Sequence, residues 1–378
     1  MNNMINTAPP RQGSGSAIEA QALFGEGRLR RRWRRFWIYS GLTAALVVAV
    51  TMGALASLAF NTTGSTTSLA TSPAGRTMSF PPQVVVLTDR AQIEVLSSAH
   101  GHRIRTLATN VAENRGLTAL TVSPSGIIYF DSAFDPPGAP SERIMSVPVS
   151  GGVAKVVADG RDPAVSPNGG LLAYIADSDS NSVAPAIIIR DLATGRAHDF
   201  VETDPQVDLM SLSWSPDSRS LSFTAIPPSY AGSDPQTSYW ILDTQSSLGL
   251  FQSSTRIPLL PGVSWAGYRT SGEGIGVSRR LAGVSLVRIS PTTGRTIPIA
   301  SLPGGLAIAN IFDGPERSVQ ADPSGRYLLV NSNEHGGWTL YRITVGRPVP
   351  VRVADRVIRA VWVPQSPNST STSASAAH

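Results

Sequence analysis

The sequence predicts an all-β protein: a six-bladed β-propeller of four-stranded antiparallel blades, with seven blades as the alternative count, preceded by a single transmembrane α-helix. Three observations predict it. Short apolar runs alternate with turns rich in Gly and Pro, a four-residue turn motif recurs along the chain, and one 25-residue stretch near the N-terminus carries no charge.

The strand-like runs include Val84–Leu87, Gly126–Phe130, Leu171–Ile175, Ala186–Ile189, Tyr239–Leu242 and Tyr327–Val330. Each is short and flanked by turn formers, which is an all-β pattern. The recurring motif is Ser123-Pro-Ser-Gly126, Ser166-Pro-Asn-Gly169, Ser215-Pro-Asp-Ser218 and Asp322-Pro-Ser-Gly325. Pro presets the backbone at its second position, Ser, Asn or Asp suits the third, and Gly takes a left-handed fourth, so each is a tight turn joining two strands. Near residue 265 the motif lapses, because Val263-Ser-Trp-Ala-Gly267 has no Pro. A second set of short polar turns follows: Leu96–Arg103, Val147–Val153, Arg190–Arg196, Asp243–Gly249, Arg288–Arg295 and Tyr341–Arg347. Six such hairpins, regularly spaced, are what a ring of four-stranded blades requires.

The last strand-like run, Val357-Ile-Arg-Ala-Val-Trp-Val363, resembles the blade-opening run Met210–Pro216. Its partners are expected at the other end of the domain, in 83–88, 92–97 and 103–107. Pairing there closes the ring and removes exposed strand edges.

The Ser-Pro-Asp/Asn-Gly turn, the apolar strand after it and the later Asp191-Leu-Ala-Thr-Gly195 turn resemble the TolB-type (WD40-like) propeller repeats of bacterial envelope proteins. The resemblance covers most of 83–363. It implies a propeller in an envelope setting with protein partners. TolB proteins are themselves soluble in the periplasm, so the anchor expected here departs from that pattern.

The anchor is Phe36–Phe60, long enough to cross a bilayer as a helix. Arg28, Arg30, Arg31, Arg32, Arg34 and Arg35 precede it and nothing comparable follows, which places the N-terminus in the cytoplasm and the rest outside the cell membrane. The rival is a cleaved signal peptide, since Ala54-Leu-Ala56 has the small-x-small form of a cleavage site; the long basic region and long apolar stretch favour the anchor. Gly41, Ala45, Ala49 and Gly53 form a small-residue stripe through which two helices could pair as a homodimer. The expected organisation is a basic tail over 1–35, the helix over 36–60, a Ser/Thr-rich linker over 61–82, the propeller over 83–363 and a Ser/Thr/Ala tail over 364–378.

The 378 residues carry a net charge of +5. That excess lies in residues 1–35, with seven Arg and two Glu, whereas 61–378 balances 24 basic against 24 acidic residues. The basic charge therefore points to anionic lipid at the membrane surface, and nucleic acid is not an expected partner. Thirty Arg against one Lys (Lys155) suggests a GC-rich bacterial genome. With no Cys, disulfides, Cys-ligated metals and thiol catalysis are excluded.

No catalytic, cofactor or metal constellation stands out. A peptidase following the propeller would need a G-x-S-x-G elbow, and Gly262-Val-Ser-Trp-Ala-Gly267 has one residue too many. His100-Gly-His102 could offer two metal ligands, but a hairpin turn is the simpler reading. Asp177-Ser-Asp-Ser-Asn181 starts like a calcium loop without its downstream Gly and Glu. Gly272-Glu-Gly-Ile-Gly276 lacks the strand–helix context of a nucleotide loop and reads as a hairpin or bulge. Trp214, Trp265 and Trp362 are expected at equivalent repeat positions, packing blade against blade, with Trp240 and Trp338 on core strands. The functional expectation is a non-enzymatic, membrane-anchored module that binds an envelope protein or peptide. A transmembrane sensor and a carbohydrate-binding or enzymatic propeller are the alternatives.

Overall fold

In the computed structural model the chain divides into two units, Met1–Gly75 and Arg76–His378. The residues described are 83–108, 119–132, 142–176, 185–202, 204, 207–227, 237–280, 283–301, 319–322, 325–334 and 337–364, all in the second unit. The anchor expected over 36–60, with its arginines and small-residue stripe, lies outside them. Among the described residues no helix is long and apolar enough to cross a membrane.

The strands form six four-stranded antiparallel sheets, as a six-bladed propeller requires. Blade one contains β1 (Gln83–Thr88), β2 (Ile93–Ser97) and β3 (Arg103–Ala108), and takes β24 (Val357–Trp362) from the far end of the chain. Blade two is β4 (Leu120–Val122), β5 (Ile127–Ser132), β6 (Arg143–Pro148) and β7 (Lys155–Asp159). Blade three is β8 (Arg161–Val165), β9 (Leu171–Ala176), β10 (Ala186–Asp191) and β11 (Ala197–Val201). Blade four is β12 (Asp208–Trp214), β13 (Ser220–Ile226), β14 (Ser238–Asp243) and β15 (Ser254–Arg256). Blade five is β16 (Val263–Tyr268), β17 (Gly274–Arg280), β18 (Gly283–Ile289) and β19 (Thr296–Ser301). Blade six is β20 (Val319–Ala321), β21 (Tyr327–Glu334), β22 (Gly337–Thr344) and β23 (Arg347–Asp355).

The ring closes as the sequence predicts. Strand β24 pairs antiparallel with β1, setting Val84 opposite Trp362 and Val86 opposite Ala360. Two polar contacts fasten the seam. Arg356 Nε donates to both carboxylate oxygens of Asp89 at 2.9 Å, and Arg342 Nη1 on β22 donates to the Ser98 carbonyl at 2.8 Å.

The strand sequences follow from their place in a blade. The second strands β1, β5, β9 and β13 are buried along nearly their whole length. Each is covered by a neighbouring blade on both faces; β1, β5 and β9 are accordingly near-continuous apolar runs, whereas β13 alternates and buries Ser222 and Thr224 as well. The outer strands β3, β7, β11 and β19 are largely exposed, each with an exposed aliphatic residue (Ile104, Val156, Val201 and Ile297) beside its polar ones. The core is divided into six clusters, one between each pair of adjacent blades. The blade three–four cluster is the largest, with Ile175, Ile187 and Phe200 facing Leu209, Leu221 and Phe223. Each blade thus stabilises its neighbours, and close-packed twisted sheets face to face leave the first strands around the axis.

The repeated turn owes its stability to its first residue. Ser123, Ser166 and Ser215 are buried, and each hydroxyl accepts the N–H that opens the next strand, from Ile127, Leu171 and Ser220 at 2.9–3.0 Å. Asp322 does the same for Tyr327 at 2.8 Å. The fourth residue needs a positive φ, taken by Gly169 (75°) and, at greater cost, by Ser218 (60°). In blade five the turn is not at 263–267, which is strand β16. It is Arg269–Gly272, where the Gly272 N–H donates to the Arg269 carbonyl at 3.0 Å. Thr270 replaces Pro there, which is why the motif is missing from the sequence although the turn is present.

Candidate functional site

The first strands β4, β8, β12, β16, β20 and β24 contact one another around the ring. They enclose a central channel of about 370 Å³. That is within the ordinary range for a ligand site.

Counted back from the turn, equivalent residues can be compared between blades. The residue just before the turn is Val122, Val165, Trp214, Tyr268 and Ala321. Blade one has no such turn, but Trp362 stands opposite Val84, the second residue of β1, as Trp214 stands opposite Leu221, the second residue of β13. Trp214, Tyr268 and Trp362 therefore share one level of the channel, rimmed by Pro124, Pro167 and Pro364. Trp265 does not belong to this set. It lies three residues earlier, and its indole packs over Gly274, where a Cβ would collide with the ring. The sequence spacing misleads because blade five lacks the Pro that marks the turn.

Blade-to-blade packing holds for Trp214, Trp265 and Trp362, the last joining Leu329 and Leu340 of blade six in one buried cluster. Trp214 Nε1 donates to the Ala164 carbonyl of blade three at 2.9 Å, and Trp265 Nε1 to Ser222 Oγ of blade four at 3.0 Å. Trp362 is 6% exposed, and its Nε1 has no hydrogen-bond partner among the described residues. Burial pushes the Tyr268 hydroxyl well above the usual tyrosine value, with the Asp217 charge adding to the effect, so it stays protonated. Trp240 packs against the blade-four core, and Trp338 lies half-buried on β22.

The other level of the channel is polar. Three residues before Val165, Trp214 and Trp362 come Asp162, Ser211 and Arg359, all lining the cavity. Asp162 and Ser211 have φ of 55° and 61°, at bulges where β8 and β12 slip against β9 and β13. These bulges turn the backbone N–H groups towards neighbouring blades. Asp131 on β5 accepts the Asp162 N–H at 3.0 Å, and Asp162 in turn accepts the Ser211 N–H at 3.3 Å. A carboxylate relay thus runs from blade two to blade four. Arg161 sits behind it, donating to the Leu209 carbonyl and Asp208, both at 2.8 Å, and pairing with Glu142 at 3.5 Å and Asp162 at 3.6 Å. Arg359 is 4% exposed and donates through Nη1 to the Ile358 carbonyl at 3.1 Å.

The residues singled out from the sequence lie elsewhere. His100 and His102 are exposed around the β2–β3 turn, their rings near-parallel with centroids 6.2 Å apart. His198 is on the outer strand β11, edge-on to Phe200. Gly272 is in the blade-five turn, and Gly274 and Gly276 are on β17. The Asp177–Asn181 segment, His335 and His378 fall outside the described residues. Sequence reasoning missed Asp162, Ser211 and Arg359. Their common signal is a fixed offset from the turn, usable only once the register is known.

The fold and channel define a six-bladed TolB-like β-propeller. Among solved structures, the chain is similar to TolB from Acinetobacter baumannii, with 17% identity, a TM-score of 0.53, and coverage of 75% of this chain and 66% of that one. It is also similar to the TolB assigned in Agrobacterium tumefaciens, with 15% identity, a TM-score of 0.50, and coverage of 72% and 88%. The chain thus spans slightly less than two thirds of the length of the Acinetobacter protein. No protein-family model matches the chain. Comparison with curated proteins found no match.

Proposed function

We propose that this protein is a non-enzymatic binding module of the bacterial cell envelope, held at the outer face of the cell membrane by residues 36–60, and that it captures a protein or peptide in the channel of its propeller. The observation that carries the reading is the channel itself: one cavity bounded by all six blades, aromatic and proline-rich at one level and charged at the other. The TolB-like fold supports a binding role by analogy, and the uncharged segment behind six arginines supports the anchor.

The test is a crosslinked pull-down from intact cells with full-length protein, comparing the native chain with Gln320→Trp. Gln320 is half-buried on β20 and lines the channel, so an indole there obstructs the cavity. A partner captured by the native chain and lost with Gln320→Trp, at unchanged thermal stability, is the expected result. Equal capture by both refutes binding in the channel. Protease accessibility of the propeller in spheroplasts checks the orientation; a propeller protected until the cells are lysed refutes it.

A further inference from the structure

We infer that the end of the propeller carrying its first–second and third–fourth turns docks on anionic phospholipid headgroups, at the surface of the membrane in which residues 36–60 are proposed to be anchored. The inference goes beyond the channel and rests on that anchor.

Three observations point the same way. The first is charge. In an antiparallel four-stranded blade the first–second and third–fourth turns emerge at one end, and the second–third turns and the connections between blades at the other. Where the fourth strand begins, an exposed cation recurs in five of the six blades: Arg103, Lys155, Arg196, Arg295 and Arg347. Arg219 and Arg326 add two more, just before the second strands of blades four and six. Against these seven, the exposed acidic residues described at this end are Asp217 and Asp243. At the other end the exposed charges nearly balance among the described residues, with Asp89, Asp159, Asp204 and Asp355 against Arg90, Arg256 and Arg356. The recurring cations are also available. Arg103 faces Glu94 at 3.2 Å, whereas Lys155, Arg196, Arg295 and Arg347 form no ion pair among the described residues. The half-buried charges leave the sign unchanged, since Arg269 and Arg288 lie 3.3 and 3.6 Å from Glu273, and Arg190 precedes Asp191.

The second observation is where the chain enters. Gln83 opens β1 at this same end, its carbonyl accepting the Val363 N–H at 3.2 Å just beyond β24. Residues 61–82, which lead from the proposed anchor, therefore join the ring on its basic end and not on its balanced one. The third is a pair of apolar tips. Val153 (82% exposed) and Leu248 (56%) stand in the third–fourth turns of blades two and four. Aliphatic side chains at turn tips among cations suit the boundary between headgroups and acyl chains. The other end exposes Val201 and Leu260, but without the excess of cations. The cations are spread around the ring instead of gathered at one spot, which fits a broad anionic surface better than a compact partner. The channel mouth rimmed by Pro124, Pro167 and Pro364 is on the basic end, so docking leaves the opposite mouth to the captured partner.

The test uses the full-length chain in lipid nanodiscs of phosphatidylcholine, alone or mixed with phosphatidylglycerol. Because the chain has no Cys, Thr292→Cys in a turn of the basic end and Leu260→Cys at the opposite end each provide a single site for a fluorescent donor. Energy transfer to an acceptor on the lipid headgroups reports which end lies on the bilayer. The readout is local to the ring, so lipid contacts of the basic tail over 1–35 do not register. Transfer from position 292 is expected to exceed that from 260 on anionic discs, and the difference to vanish on neutral discs and in high salt. Arg196→Gln with Arg295→Gln should lower the ratio of docked to free propeller about 25-fold, about fivefold for each charge, whereas Arg90→Gln with Arg256→Gln should leave it unchanged. Equal transfer from the two positions on anionic discs, a difference that persists on neutral lipid, or equal effects of the two double variants overturns the inference, and leaves the cations to a soluble acidic partner. A chain that enters the discs but shows equal transfer overturns the inference alone. A chain that does not enter them overturns the proposed anchor as well.

Discussion

Arg161 provides the sharpest test of how the ring is held together. It is 8% exposed and joins three blades, bonding the Leu209 carbonyl and Asp208 of blade four while facing Glu142 of blade two and Asp162 of its own strand. Arg161→Met keeps much of the side-chain volume and removes the charge. Asp162, 3% exposed, then loses its neighbouring cation, and the buried Leu209 carbonyl loses a donor. Breaking one side of a buried pair costs about 3–5 kcal/mol. Asp208 is half-exposed and water replaces its partner, so the lower end, about 3 kcal/mol, is expected. At roughly 2–4 °C per kcal/mol for a domain of this size, the melting temperature should fall by roughly 6–12 °C. The assay is thermal unfolding followed by circular dichroism. Adding Asp162→Asn tests the cause: Asn tolerates the left-handed backbone and still accepts the Ser211 N–H, but carries no charge to strand. The double variant should recover at least half of the loss. If Arg161→Met alone costs under about 1 kcal/mol, or the double variant is the sum of two losses, the argument from buried charge is wrong.

Three further outcomes follow from the same structure. Gly276→Ala sets a Cβ against the Ser264 carbonyl oxygen and Ile289 Cδ1, and should cost about 1–3 kcal/mol in urea unfolding, whereas Gly126→Ala, with open space around it, should show only the strain of its positive φ. Ending the chain at Arg356 removes β24 and exposes the edge of β1, so size-exclusion chromatography should show oligomers or aggregate in place of a single species. The Ser215 hydroxyl, followed by the Arg219 N–H, holds the Asp217 carboxylate below the usual value, and its stabilising effect is present above the unfolded value and lost as pH falls through the lowered one. The melting-temperature gap between the native chain and Asp217→Asn should therefore be constant above about pH 5 and close below about pH 4. A gap that widens on acidification would reverse the sign of that assignment.

The turn chemistry was legible because it is local. Ser166-Pro-Asn-Gly169 carries within four residues the hydroxyl, the fixed φ and the positive φ that make the turn. Blade five shows the limit: Arg269–Gly272 makes the same bend without Pro, so the turn was sought three residues too early, and Trp265 was matched to Trp214. Asp162 shows another. In sequence, Arg161-Asp162-Pro163 is an unremarkable polar run before a strand. Its meaning comes from a bulge that brings it to Asp131 and Ser211, 31 and 49 residues away.

What the sequence by itself determined is the all-β class, the six hairpins and the closing strand, because strand period, turn residues and apolar runs are set by neighbours in the chain. What only the tertiary structure decided is the channel: which residues of six distant strands share a level, and that Trp214 and Trp265 find acceptors in the preceding blade. Those facts depend on register and on the meeting of separate blades. A shift of one residue in pairing would turn every side chain to the other face, and nothing local to the chain records which partner each blade will meet.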